Sequence, residues 1–130
     1  MDEKDFDFDN LTREQTIYLH RKLWSTLADK ILEWKRPVEK WEIFDLYCWP
    51  ETTADCWCCK YSETCQFCPI QWADNGWTCG SIFSPYWKWK VRMDEYKYFS
   101  DAKDYKIEDE QLKELSDLAR WIATLPERKE

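Results

Sequence analysis

Seven cysteines carry most of the chemistry on offer: Cys48, Cys56, Cys58, Cys59, Cys65, Cys68 and Cys79. Cys56 and Cys59 form one C-x2-C pair. Cys65 and Cys68 form a second, with five residues between the pairs. Each pair lets two thiolates reach one metal from a tight turn, and two pairs complete a tetrahedral all-sulfur shell. A disulfide framework fits less well. The number is odd, and the start MDEKDFDFDN is acidic, with no basic-then-apolar export signal. In a reducing cytosol, clustered thiols are more often metal ligands.

The expected centre is bound by Cys56, Cys59, Cys65 and Cys68, with Cys79 as substitute or fifth ligand. Cys58 offers a first pair shifted by one residue. Zinc leads, because all-thiolate zinc stabilises small folds with marginal cores. An iron–sulfur cluster on the same thiolates is the alternative. The five-residue gap is shorter than the twelve or more of a zinc ribbon, so ligand choice stays open. Cys48, inside the apolar run IFDLYCW, reads as a buried core thiol.

Catalysis finds little support. His20 is the only histidine, and it falls on an apolar helical stripe, so no Cys–His or Ser–His pair stands out. A hydrolytic zinc site keeps an open position and usually has histidine among its ligands, whereas all-thiolate sites are closed. Two glycines, Gly76 and Gly80, leave no room for a glycine-cradled phosphate site. The expectation is a protein that is not an enzyme.

Helices must position these groups. Thr12 and Gln15 match a capping box. Ile17, His20, Trp24, Leu27, Ile31 and Trp34, widened by Leu23, then recur at helical spacing until Arg36–Pro37. A short helix is expected over 38–46, with a strand as the alternative, and a Cys-rich loop over 50–80. A loop of that length needs a staple, which a metal supplies. Ser84–Pro85 opens a third helix over 84–99, with Tyr86, Trp89 and Met93 on one side and Trp87 and Val91 extending the stripe. Residues 94–106 read as a short helix or an irregular connection. Leu112, Leu115, Leu118, Ile122 and Leu125 line a last helix over 109–125, stopped by Pro126. Residues 1–10 read as a flexible arm, unless Phe6 and Phe8 dock. The fold class is thus mainly α: one small helical domain over 1–130 around a central metal-binding loop.

The chain has 130 residues, 44% hydrophobic and 18% aromatic, with 26 acidic against 19 basic side chains and a net charge of −7. No apolar run is long enough to span a membrane, so a soluble, cytoplasmic protein is expected. Phosphate contacts dominate nucleic-acid affinity, so direct nucleic-acid binding is disfavoured. The best basic cluster is Lys88, Lys90 and Arg92, closed off by Asp94 and Glu95. Ten tryptophans are a large excess for 130 residues, and most are expected to fill the core. Trp72, Trp77, Trp87 and Trp89 flank the loop as a candidate recognition patch. With the basic cluster as phosphate clamp, they are also the candidate binding residues for a small ligand or nucleotide.

The order Trp24 and Trp34, Cys56-x2-Cys59, Cys65-x2-Cys68–Pro69, Cys79, Pro85–Tyr86 with Trp89, then a leucine-rich helix, resembles short uncharacterised phage-encoded proteins. Cys48 and Cys58 lie outside that outline, which favours Cys59 over Cys58 as ligand. The resemblance implies a viral or mobile-element origin and a role in the host cytoplasm, such as inhibiting an antiviral defence enzyme. Together with the acidic charge, it points to an interaction module. Its expected partner is a host protein with a basic surface, such as one that processes nucleic acid.

Overall fold

Thr12 Oγ1 accepts the Gln15 N–H and Gln15 Oε1 accepts the Thr12 N–H, each at 3.1 Å. Two donors at the helix start are thereby satisfied, and α1 runs from there over Arg13–Trp34. The structure, a computed structural model, describes residues 2–50, 57, 69–71, 84–100 and 107–127. At the far end Lys35 turns left-handed at φ 55°, a common way to stop a helix. Pro37 follows two residues on. Three further α-helices lie among the described residues: α2 at Lys40–Leu46, α3 at Pro85–Ser100 and α4 at Asp109–Ala123. The described residues are mainly helical.

Each helix start has a local cause. Glu42 accepts the Glu39 N–H at 2.8 Å and holds Arg36 at 2.7 Å. Ser84 Oγ accepts the Tyr86 N–H at 3.1 Å with Pro85 in the first turn. Gln111 accepts the Glu108 N–H at 2.9 Å. The third helix continues to Ser100, through part of the stretch expected to be a short helix or a connection.

Helices α1 and α4 make the main seam, and α3 packs on α4. The seam is antiparallel: His20 Nε2 donates to the Ile122 carbonyl at 3.0 Å, and Ser116 Oγ donates to the Ala28 carbonyl at 3.0 Å. Leu19, Leu23, Leu27 and Ile31 face Leu115, Ala119 and Ile122 within one buried core. His20 is a core residue, 1% exposed, as its place on the stripe implied. Trp24 stands edge-on to Trp89 at 4.9 Å and to Tyr86 at 5.8 Å. This contact joins α1 to α3.

Several expectations need correction. The acidic start is not a free arm. A 3₁₀ turn at Glu3–Asp5 leads into Phe6, which is buried with its ring edge-on to Tyr18 at 5.8 Å. Glu3 accepts both the Lys22 ammonium and the Trp49 indole N–H. Cys48 is exposed rather than buried: it follows α2 with φ 55°, which turns it out of the core while Trp49 turns in. Trp34 ends the α1 stripe half-exposed, with Arg36 over its ring at 5.0 Å. The cysteine loop expected over 50–80 lies outside the described residues, except for Pro50, Trp57 and 69–71.

Candidate functional site

The cysteines predicted to hold a metal, Cys56, Cys59, Cys65, Cys68 and Cys79, lie outside the described residues, as do Cys58, Trp72 and Trp77. Among the described residues, no group of three or more histidine, cysteine or acidic side chains is placed to hold a metal ion. Two fixed points neighbour the cysteine pairs in the chain. Trp57, between Cys56 and Cys58, is fully buried; it stacks on Phe44 at 5.0 Å and meets Trp49 and Phe8 at 5.5 and 5.6 Å. Ile70, two residues after Cys68, is also fully buried and forms an antiparallel bridge with Glu127. The Gln71 N–H donates to the Pro126 carbonyl at 2.9 Å.

The predicted binding tryptophans on α3 separate into one buried and one exposed. Trp89 belongs to the core at 4% exposure, so it is not part of a recognition patch. Its position on the helix puts it with Tyr86, Met93 and Tyr96, the face that meets α1 and α4. Trp87 and Val91, one turn apart, are exposed at 40% and 41%. They therefore form an outward ridge instead of extending the buried stripe.

The basic cluster is divided as well. Arg92 is committed: Nε donates to Glu114 at 2.6 Å and Nη1 to Glu95 at 3.0 Å. The hydrogen bond and charge of Glu114, with Glu95 adding to both, raise its already high pKa. Arg92 thus ties α3 to α4 and is not an open phosphate clamp. Lys88 places its ammonium 5.1 Å from the centre of the Trp121 ring on α4. Lys90 is exposed.

Trp121 is the residue that sequence reasoning missed. It is 46% exposed, on the flank of α4 opposite the α1 seam. Its signal was available: 121 falls off the stripe of Leu115, Ile122 and Leu125, so a tryptophan there has no core to enter. It lines a shallow groove of about 350 Å³ with Glu110, Lys113, Glu114, Asp117 and Leu118. Glu114 is fixed from behind by Arg92 and by the Tyr96 hydroxyl, which donates to it at 2.9 Å. The described surface therefore offers Trp121 beside a carboxylate-bearing groove on α4, and Trp87 with Val91 as an exposed ridge on α3.

No protein-family model matches the chain, and no curated protein or solved structure matches it either. Among the described residues, no helix is long and apolar enough to cross a membrane.

Proposed function

We propose that this chain is a small acidic protein-interaction module, stabilised by a metal at its cysteine pairs, and not an enzyme. The observation that carries this reading is the set of large apolar side chains left at the surface: Trp41 on α2, Trp87 and Val91 on α3 and Trp121 on α4 are exposed while Trp24, Trp49, Trp57 and Trp89 are buried. Large exposed apolar side chains on a small domain mark contact surfaces. A net charge of −7 suits a partner with a basic face. The partner class is a nucleic-acid-processing or antiviral defence protein of a host cell, with the chain acting as its phage-encoded inhibitor. The resemblance to phage-encoded proteins supports that assignment. Zinc on Cys56, Cys59, Cys65 and Cys68 supports the fold in this reading, and the pair spacing is its basis.

The test is a pull-down with the full chain at low and high salt, repeated with nucleic acid as competitor. A nucleic-acid-binding protein should be captured at low salt, released as ionic strength rises, and displaced by the competitor, because exposed charges are screened within about 8 Å at physiological salt. A partner held equally across salt and indifferent to nucleic acid would contradict the charge-led reading.

A further inference from the structure

We propose that the groove along α4 is the docking site for an arginine-rich segment of the partner protein, with Trp121 and Asp117 as its anchors; this rests on the interaction-module reading above. Glu110, Glu114, Asp117 and Trp121 are spaced four, three and four residues apart, so they form one stripe on the helix. Leu118 lies beside them in the groove. Three carboxylates face one ammonium, Lys113, in that lining. Among the described residues Glu114 is neutralised by Arg92, whereas Glu110 and Asp117 have no ion pair. Charge complementarity alone would be weak grounds. The second observation is that a cation already sits on this surface: the Lys88 ammonium lies over the Trp121 ring.

Lys88 is the chain's own occupant of a cation-binding ring, held there by the helix pairing rather than by a carboxylate among the described residues. Arginine is a better guest. Its planar guanidinium stacks on an indole and pairs with a carboxylate at the same time. Asp117 lies one helical turn from Trp121, so a single arginine can reach both. Glu110 lies seven residues from Asp117, about 10 Å along the axis, and would take a second cation of the same segment. Leu118 supplies apolar area for the methylene stems. The Arg92–Glu114–Tyr96 contacts hold the α3 side of the groove in place, so little ordering is needed on binding.

The probe is a labelled hexa-arginine peptide, with its citrulline counterpart as the uncharged control, titrated with the full chain and followed by fluorescence anisotropy. Hexa-arginine should bind, and the citrulline peptide should not. Trp121→Ala and Asp117→Asn should each weaken binding about two- to fivefold, the range of an exposed cation–π contact or ion pair. Lys88→Ala should do the opposite and tighten it, because it vacates the ring and removes a positive charge. All three side chains are at the surface, and unchanged circular dichroism will confirm that the helices persist. Equal affinity of the parent, Trp121→Ala and Asp117→Asn overturns the proposal, and so does weaker binding by Lys88→Ala. If Trp121 instead meets a second copy, the parent will sediment as a dimer and Trp121→Ala as a monomer, which also overturns it. A host partner retained by Trp121→Ala in the pull-down removes the groove assignment and leaves the module reading standing.

Discussion

At the scale of single residues, the seam between α3 and α4 depends on one carboxylate. Glu114 accepts from Arg92 and from the Tyr96 hydroxyl at once. Burial, with the hydrogen bond to Glu114 and its negative charge, pushes the Tyr96 hydroxyl from the usual 10 up to about 12. The folded state therefore keeps a proton that the unfolded chain has lost between those values, so Tyr96 makes stability fall as pH rises through that window. Lys22 acts in the same direction. Burial opposes its charge, but the hydrogen bond and charge of Glu3, with Tyr18 and Tyr47 nearby, raise it above 10.5. Its contribution is likewise lost only on strong alkalinisation. An ultraviolet titration of the phenols should contain a late phase near pH 12 that loses the amplitude of one phenol in Tyr96→Phe. That variant should also lose less stability than the parent between pH 10 and 12. Full ionisation of every parent tyrosine by pH 11 would contradict the assignment.

At the scale of elements, α1 and α4 approach closely because small residues line their seam. Ala28, Ser116, Ala119 and Ala123 are all buried there. Ala119→Leu inserts three carbons where there is no space, and overpacking of this kind typically costs about 1–3 kcal/mol. A clear drop in melting temperature is expected, whereas Lys113→Ala, at an exposed position of the same helix, should change it much less. An equal response from both would show that the seam is not tightly packed. These small residues also explain what was readable beforehand. The 3-and-4 spacing of large apolar side chains identified α1 and α4 and their buried faces, because each helix has one apolar stripe to cover. In α3 the spacing of Tyr86, Trp89 and Met93 marked the inward side, but the alternation of Trp87, Lys88, Trp89, Lys90 and Val91 could not decide whether Trp87 and Val91 join it. The flank taken by α4 decides it. Glu3 was still less legible: its partners Lys22 and Trp49 lie 19 and 46 residues away. Local pattern contains no trace of such contacts, and residues 1–10 therefore read as an arm. Cys48 misled for a related reason. It sits in an apolar run, but the left-handed turn after α2 takes it out of the core.

At the scale of the whole molecule, the question is what the cysteine pairs add to a helical body that already has its own core. Their sequence neighbours are fixed on two sides. Trp57 is held among Phe8, Phe44 and Trp49, which joins it to the N-terminal segment and α2. Ile70 and Gln71 are held by the chain that follows α4. A metal on Cys56, Cys59, Cys65 and Cys68 would therefore cross-link two ends of one core, and its binding energy would count toward folding. The charge changes as well: four thiolates and one divalent cation contribute −4 and +2, taking −7 to −9. Anaerobically purified protein should carry about one metal per chain, colourless if zinc and brown if an iron–sulfur cluster. Structural zinc contributes on the order of 10 kcal/mol in small peptide modules, so chelation should lower the melting temperature markedly. Cys68→Ser should do the same while leaving much of the helical circular dichroism, since Leu19, Leu23, Leu115 and Ile122 join α1 and α4 in one buried core. Trp57 offers a local readout as the difference in emission between the parent and Trp57→Phe, which should shift to the red on loss of the metal as its neighbouring segment loosens. Phe44→Ala should weaken that response by removing the ring on which it stacks. Metal-free protein that melts like the parent, with unchanged emission, would contradict a structural metal and leave the aromatic cluster around Trp57 and the Ile70–Gln71 contacts as the described anchors for this part of the chain.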